Sequence, residues 1–504
     1  MADSKNMKRL KEILGSAADL NAASALLDWD MRTFMPPGAI ESRSFQLATL
    51  EEAEHEKMTS RELGNLLRKL EHEVEDLDPD SDEYRLVKKV KREYDRDVKT
   101  PPGWVRRNAQ AVACADTAWG KARAAADFRI FAPHLQKLLD LKLEYVSFFE
   151  PAEHPYDILL DRFDEGMTCS VLTRLFSRLK QDQGAIIREA LAKEKPENGF
   201  LKRKYPASKQ LALTRRVLSR MGYDWKCGRQ DRSVHPFTTS FGLYDVRITT
   251  KVVEGNPFSA LFSSIHEGGH ALYEQGINKN YARTPFADGA SFSVHESQSR
   301  LWENLVGRSP EFWNYWFPVV RKMFPGNLDT VSPEEFLAAL NTPEASPIRT
   351  EADELTYNMH IILRFELEKS LIEGKMKVTE LADAWNAGMK ELLGIEIRND
   401  VEGVLQDIHW AMGEFGYFPS YALGNVISAQ LWDAALKEEP GIPDSIAHGV
   451  YAPLREWLRS HVHVFGAKYN TEEILDRATG ASGLDPEPYL NMLKKKYCGG
   501  EENG

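Results

Sequence analysis

The segment from Asn256 to Gly276, NPFSALFSSIHEGGHALYEQG, constrains this chain most, because it combines a helical pattern with the order His-Glu-x-x-His. Apolar residues recur in it at three- and four-residue spacing, which is typical of a helix with one broad buried face. Asn256 is predicted to cap the helix, Pro257 suits its first turn, and Gly276 is predicted to end it in the left-handed conformation. We therefore predict an amphipathic helix with both ends marked.

Two histidines of this helix are suited to bind one metal ion. His266 and His270 are four residues apart, so their side chains leave the same face with Cβ atoms about 5–6 Å apart. Glu267 lies about 100° further around the axis and can reach a water molecule on the ion without ligating the ion. Gly268 and Gly269 each cost roughly 1 kcal/mol relative to alanine in a helix, which indicates a close approach by another segment. The pattern predicts a metal site of the zinc-hydrolase kind.

Glu296 is the candidate for a third ligand. Zinc hydrolases use three protein ligands and keep one position open for water, and a carboxylate completes a two-histidine set. Glu296 lies in SFSVHESQSRLWENLVG, a second helical pattern that can return antiparallel to the first helix. Ser293 and Glu296 also match a capping box, so Glu296 could instead be a residue of the first helical turn. We favour the ligand and keep the cap as the alternative.

The remainder of the sequence predicts a mainly α-helical chain. Helical patterns fill most of residues 4–150, and others occur at Thr168–Lys195, Leu211–Met221, Pro347–Ile372 and Val401–Met412. Strand-type residues dominate only in FTTSFGLYDVRITTKVV, residues 237–253, which predicts a small sheet just before the metal helix.

Alternation within that strand segment separates two faces. Asp245, Arg247 and Thr249 are predicted on one face, with Val246 and Ile248 on the other. A polar strand face is most often solvated, but this one leads into the metal helix and could line its cleft.

Length and composition limit the class of protein. A chain of 504 residues exceeds the usual size of a single domain, so two lobes flanking a cleft are expected. Its 64 Lys and Arg against 76 Asp and Glu give a net charge of −12, which argues against nucleic acid or an anionic membrane as the main partner. No signal-peptide core or run of 18 apolar residues occurs, so we expect a cytoplasmic protein. Four scattered cysteines are expected to be reduced thiols, namely Cys114, Cys169, Cys227 and Cys498.

Ordered motifs give the chain a family resemblance. It resembles the thermostable carboxypeptidases of the Taq type, metallopeptidases of the gluzincin group, over nearly its whole length. The motifs are DWDMRTFMPPG at Asp28–Gly38, HPF at His235–Phe237, DVRIT at Asp245–Thr249, HEGGH at His266–His270, HESQ at His295–Gln298, IRTEAD at Ile348–Asp353 and GVLQDIHW at Gly403–Trp410.

The resemblance implies a helical, two-lobed metallopeptidase with a small sheet beside a deep groove. Residues 1–232 would supply mostly helices that cover the groove, and residues 233–504 the metal- and substrate-binding core of one catalytic unit. It also implies a homodimer with one Zn²⁺ or Co²⁺ per chain, which removes single C-terminal residues from peptides with broad tolerance but poor action next to proline.

Roles for individual residues follow from the expected reaction. With His266, His270 and Glu296 as ligands, Glu267 would act as general base. His409 and Tyr421 are candidate donors to the developing oxyanion. The substrate's terminal carboxylate calls for a guanidinium, from Arg349 or Arg247, and Asp245 and Gln406 are further candidates for substrate binding. Arg349 and Asp353 could alternatively form only a surface ion pair worth a few tenths of a kcal/mol.

Two other classes remain open at this stage. A gluzincin endopeptidase or aminopeptidase would share the metal centre but would not require a free C-terminus. A non-catalytic helical protein with a structural metal, or with none, would release no amino acids.

Overall fold

Helices make up most of the computed structural model, which describes residues 4–499. Several of them begin where the sequence supplies a cap or a proline: Ser60 and Ser81 accept hydrogen bonds from first-turn N–H groups, and Pro102 opens its helix. The helices before the sheet are α1 (Lys5–Thr33), α2 (Ile40–Met58), α3 (Arg61–Val74), α4 (Asp82–Lys99), α5 (Pro102–Ala125), α6 (Ala132–Val146), α7 (Pro155–Leu160), α8 (Cys169–Leu191) and α9 (Ala207–Met221).

The second half of the described chain is also helical. Its helices are α10 (Pro257–Gly276), α11 (Phe292–Arg300), α12 (Pro310–Met323), α13 (Pro333–Leu340), α14 (Tyr357–Ile372), α15 (Leu381–Leu393), α16 (Pro419–Glu438), α17 (Ile442–Ala447), α18 (Ala452–His461), α19 (Thr471–Thr479) and α20 (Glu487–Cys498). A π-helical segment, Leu301–Val306, continues α11 directly. Short 3-10 segments lie at Pro37–Ala39, Phe128–Ile130, Gly199–Lys202, Lys279–Tyr281, Arg349–Glu351, Val378–Glu380 and His463–Lys468.

A three-stranded sheet precedes the predicted metal helix. Its strands are β1 (Gln230–Arg232), β2 (Thr238–Ser240) and β3 (Val246–Thr250), with β3 in the centre, parallel to β1 and antiparallel to β2. Val246 and Ile248 are fully buried, as the alternation predicts. The side chain of Thr250 also hydrogen-bonds to Ala260 and Ser263 of α10, so the sheet is attached to that helix.

Two glycines allow three helices to meet closely around Glu296. A Cβ on Gly269 of α10 would lie 2.6 Å from the backbone oxygen of Gln298, and one on Gly424 of α16 would lie 2.5 Å from Cγ of Glu296. Helix α11 is thus packed between α10 and α16 at distances that exclude larger residues. The close approach predicted from the glycine pair of the His-Glu-x-x-His segment is confirmed, since Gly268 likewise meets the Leu218 side chain of α9.

Some predicted elements differ in the structure because side chains satisfy the backbone locally. Residues 401–412 form turns rather than a helix, and Asn399 accepts hydrogen bonds from the N–H groups of Val401 and Glu402. Helix α14 starts at Tyr357 and not near Pro347, since Asp353 accepts from two N–H groups just before it.

The predicted helix ends also need correction. Asn256 makes no capping hydrogen bond, and Gly276 does not take a left-handed conformation. The cap of α11 is Ser291, which accepts from the N–H of Val294, so the predicted capping box of Ser293 and Glu296 is wrong. Glu296 is therefore free of that structural role.

The four cysteines are all free thiols in the structure, as the sequence predicts. None of the helices within residues 4–499 is both long enough and apolar enough to cross a membrane.

Candidate metal centre and substrate groove

Three predicted ligands come together between α10 and α11. His266, His270 and Glu296 each offer one ligand atom, and these atoms lie within 4.8 Å of one another. Glu296 Oε2 is 3.6 Å from His266 Nε2 and 3.4 Å from His270 Nε2. Ligand atoms about 2.1 Å from one tetrahedral ion are roughly 3.4 Å apart, so two imidazoles and one carboxylate in this arrangement fit a divalent metal.

Each ligand histidine is oriented by a partner on its other ring nitrogen. His266 Nδ1 lies 2.9 Å from Glu303 Oε2, so an Nδ1–H can donate to that carboxylate and leave Nε2 free for a metal. His270 Nδ1 lies 2.6 Å from Nδ1 of His295, whose Nε2 is 3.1 Å from Glu274 Oε1. Burial, and then His295, lower the pKa of His270 to about 4, which keeps its imidazole neutral as metal binding requires.

Arg300 orients the third ligand. Its Nε donates to Oε1 of Glu296 at 2.7 Å, which leaves Oε2 directed at the two histidines. The guanidinium also lies 4.3 Å from the ring centroid of Tyr357, and its side chain is 13% exposed. Burial raises the pKa of Glu296, but Arg300 and the histidines outweigh that effect and hold it well below its ordinary value.

The predicted base, Glu267, is held by the sheet. Thr238 of β2 donates a hydrogen bond to Glu267 Oε2 at 2.6 Å. Burial raises the pKa of the Glu267 carboxyl, although His266 and the Thr238 hydrogen bond oppose the rise. A carboxylate with a raised pKa accepts protons more readily, which suits a general base.

A groove of about 710 Å³ gives access to these residues. Its lining includes all three candidate ligands, Glu267, and residues of α1, α4, the segment after α7 and the start of α16. Tyr421 lines the groove, and its hydroxyl is 3.1 Å from Nε2 of His409, which does not. Burial, and then the charge of Arg349, lower the pKa of His409 to about 3, so this imidazole is neutral.

Arg349 is buried, so the alternative of a surface ion pair between Arg349 and Asp353 is wrong. Its guanidinium donates to Asp407 Oδ1 and to the hydroxyl of Tyr357, and not to Asp353. Asp407 also accepts from Arg364, so two buried cations share one carboxylate. The Arg349 guanidinium lies 4.8 Å from the ring centroid of Tyr421, the residue that lines the groove.

The other candidate substrate residues have partners outside the groove lining. Arg247 pairs with Asp245 at 2.7 Å and lies 4.5 Å from the Trp29 ring centroid of α1. The side chain of Thr249, on the same predicted face, hydrogen-bonds to Ser233 within the sheet. The polar strand face therefore contacts protein, not the cleft.

Gln406 supports the loop that carries Arg349. Its side-chain amide donates to backbone oxygens of Pro347, Glu402 and Gly403, while its oxygen accepts from the N–H of Arg349. These contacts use the amide fully, which indicates a positioning role for Gln406.

Residues around the ligands were not predicted from the sequence. Glu303 is seven positions after Glu296, and Arg300 is four positions after it, so helical spacing was a usable signal for both. Thr238 carried no such signal, because only the sheet brings it to α10.

Comparisons with known proteins agree with the geometry. The family described as Carboxypeptidase Taq (M32) metallopeptidase matches residues 9–497. Thermostable carboxypeptidase 1 of Thermus thermophilus is 38% identical over 501 residues, covering 97% of this chain and 98% of the relative. Carboxypeptidase 1 of Bacillus subtilis is 36% identical over 491 residues, covering 97% of each chain.

Solved structures show the same fold. The M32 carboxypeptidase from Deinococcus radiodurans R1 is 41% identical with a TM-score of 0.95, covering 98% of this chain and 99% of that chain. The Pyrococcus furiosus carboxypeptidase is 34% identical with a TM-score of 0.95 and the same coverage. The resemblance seen in the sequence motifs is thus confirmed, and the chain belongs to the Taq-type family of metallocarboxypeptidases.

Proposed function

We propose that this metallocarboxypeptidase removes single C-terminal residues from peptides with broad side-chain tolerance and little action next to proline. The observation that carries the proposal is the convergence of two imidazoles, one carboxylate and the buried Glu267 on a groove of about 710 Å³. A divalent ion, Zn²⁺ or Co²⁺, held one per chain by His266, His270 and Glu296, would acidify water and polarise the scissile carbonyl.

Glu267 moves the proton. Its carboxylate accepts a proton from the attacking water and then transfers it to the leaving amine, so one residue serves as base and acid within a turnover. Thr238 keeps Oε2 of Glu267 in place by its hydrogen bond. The raised pKa of the buried carboxyl supports this assignment.

Tyr421 and His409 act on the developing oxyanion. The Tyr421 hydroxyl lines the groove, and neutral His409 contacts that hydroxyl from behind. We assign hydrogen-bond donation to Tyr421 and its orientation to His409.

Arg349 is our first choice for recognition of the terminal carboxylate, since its guanidinium packs on the groove residue Tyr421. Arg247, with Asp245, is only the second choice, because this ion pair lies outside the groove lining. Gln406 contributes by positioning the backbone of Arg349.

We further propose that residues 1–504 form one catalytic unit. Residues 1–232 provide the helices that cover the groove, and residues 233–504 provide the metal- and substrate-binding core. Cations of α1 and α4 in the groove lining support this division. The working form is proposed to be a cytoplasmic homodimer. Sedimentation of the purified protein tests whether it is a dimer.

Mass spectrometry of a digested peptide tests the proposed reaction. A free-carboxylate peptide should give a ladder of products shortened one residue at a time from the C-terminus, and a chelator should stop it. The matching C-terminal amide should remain intact. Cleavage of the amide at the same rate would instead identify an endopeptidase or aminopeptidase.

A further inference from the structure

One wall of the groove carries cations that the proposed reaction does not use. We define the cationic wall as Lys89, Arg92 and Arg96 of α4 together with Arg162, which lies after α7. The three residues of α4 are spaced by three and four positions, so they share one helix face, and that face lines the groove. The chain as a whole has a net charge of −12, so these cations stand out against the overall charge.

Two of the four cations already have carboxylate partners. Arg92 lies 2.6 Å from Asp161 and 3.4 Å from Glu165. Lys89 lies 3.8 Å from Glu93. Glu93, Asp161 and Glu165 are thus already within ion-pair distance of Lys89 or Arg92, whereas Asp97 on the same helix interacts electrostatically with Arg96 and Arg162.

Arg96 and Arg162 have no carboxylate within 4 Å anywhere in residues 4–499. Arg162 is exposed, and its guanidinium lies 5.4 Å from the ring centroid of Tyr145 and 5.8 Å from that of Phe163. Both arginines act on the same neighbours: burial raises the pKa of Asp97 and of Tyr145, while the charges of Arg96 and Arg162 oppose both rises. Arg96 lines a cavity together with Tyr145, the ring that Arg162 contacts, and both arginines line the groove, so they belong to the same part of its wall.

A second cavity beside the groove favours a side-chain carboxylate over a terminal carboxylate as the group that the two arginines bind. Arg96 and Asp161 also line a neighbouring cavity of about 360 Å³, whose wall includes Tyr145 and Phe149. The groove and this cavity therefore adjoin each other at Arg96 and Asp161. A terminal carboxylate ends a peptide and needs no further space, whereas the upstream part of a peptide needs room on both sides of the side chain that it presents.

We propose that Arg96 and Arg162 form a subsite that binds the carboxylate of a Glu or Asp side chain upstream of the scissile bond. The subsite rests on the proposed carboxypeptidase function, because it would bind the upstream part of a peptide whose C-terminal residue is removed at the metal centre. It makes the enzyme prefer peptides with an acidic residue at one particular upstream position. Exposed charge pairs contribute modestly and are screened by salt.

Matched peptides that differ only in one Glu or Gln test the subsite. The residue is moved stepwise upstream from the C-terminal residue, and kcat/KM is measured for each pair. At about 0.02 M salt we expect a preference for Glu of roughly three- to tenfold at one position, with little left at about 0.5 M salt. No Glu preference at any position would overturn the proposal.

Variants assign the preference to the two arginines. Arg96→Gln with Arg162→Gln should remove the Glu preference while the Gln peptide is cleaved within about twofold of the wild-type rate. Lys88→Gln is the matched control, since Lys88 is exposed on α4 and does not line the groove. Arg162→Glu, at an exposed position, should shift the preference towards a Lys peptide.

Two other outcomes distinguish failure of the side-chain subsite from failure of the proposed carboxypeptidase function. If the double variant loses activity on all free-carboxylate peptides equally, the arginines bind the chain terminus and the side-chain subsite is refuted. If the wild-type enzyme releases no C-terminal residue from any peptide of the series, the proposed function itself fails.

Discussion

At the scale of single residues, every ligand of the candidate metal centre is held by a second residue. Glu303 orients His266, His295 orients His270, and Arg300 engages one oxygen of Glu296. Such support fixes which atom of each ligand faces the ion before the ion binds. Glu267 is held by Thr238 and is not one of the ligands, so a substitution of Glu267 tests its role without removing a ligand.

Glu267→Gln should keep the metal and lose turnover. The amide oxygen can still accept the Thr238 hydrogen bond, but the amide cannot take a proton from water. We expect kcat to fall by about 10²–10⁴. Metal content and kcat are to be measured on the same sample, and a metal-loaded variant with a near-normal rate would exclude Glu267 as the base.

Arg349→Met should selectively impair cleavage of free-carboxylate peptides. The change removes charge-assisted hydrogen bonds worth roughly 1.5–3 kcal/mol, equivalent to about 10- to 150-fold in kcat/KM, while keeping similar bulk. The C-terminal amide, already a poor substrate, should lose little.

Arg247→Met is the matched comparison for Arg349→Met, because both arginines have a carboxylate partner. Equal losses on the acid and the amide in both variants, together with lower thermal stability, would identify both arginines as structural.

At the scale of elements, helix α14 is linked to the segment that carries Asp407 and His409. Glu368 of α14 is fully buried and accepts hydrogen bonds from Tyr156 of α7, from Trp410 Nε1 at 2.7 Å and from the N–H of Gly416 at 2.9 Å. Three donors thus converge on one side chain. The segment at residues 401–418 depends on such contacts because it has no helix of its own up to α16.

Glu368→Gln should destabilise the fold. An amide places an N–H group against groups that already donate, so at least one buried donor loses its partner, at a cost of roughly 1–3 kcal/mol. Chemical denaturation measures the change in the free energy of unfolding.

Glu366→Gln is the matched control on the same helix, because Glu366 is exposed and its one ion pair within residues 4–499 is with Lys180 at 3.3 Å. It should change stability by less than about 0.5 kcal/mol. Equal effects of the two substitutions would mean that the buried carboxylate is not a structural link.

At the scale of the whole molecule, the metal centre joins segments that are distant in sequence. Two ligands lie on α10 and one on α11, while α16 packs on α11 through Gly424 and the N-terminal helices complete the groove. A ligand that binds only the folded chain stabilises it by mass action. Metal binding should therefore be visible as stability as well as activity.

Removal of the metal should lower the melting temperature. At a free metal concentration of about a thousand times Kd, binding contributes about 4 kcal/mol. For a chain of this length that corresponds to a shift of roughly 4 °C, measured by calorimetry with and without chelator. Glu296→Ala should reduce this change in melting temperature. A change as large as that of the wild type would show that Glu296 is not a metal ligand.

Local chemistry in the sequence was enough to predict the helical class, the small sheet and the ligand set. Helical spacing places His266 and His270 on one helix face, whatever packs around them. Gly268 and Gly269 indicate that another segment packs closely against that helix. The seven motifs also identify the family from the sequence alone. The helices, the strands and the histidine pair depend on neighbours within a few residues, which is why sequence alone determines them, whereas Glu296 is the acid that a returning helix is predicted to bring to the pair.

Only the tertiary structure decided which distant groups meet. It buried Arg349 against Asp407, brought Thr238 to Glu267, and placed Arg96 and Arg162 on the groove with no carboxylate of residues 4–499 within 4 Å. It also replaced the expected helix at residues 401–412 by turns, because side chains there bond the backbone. The physical reason is that burial and partner choice depend on how α10, the sheet and the N-terminal helices pack together, and spacing along the chain does not encode those distances.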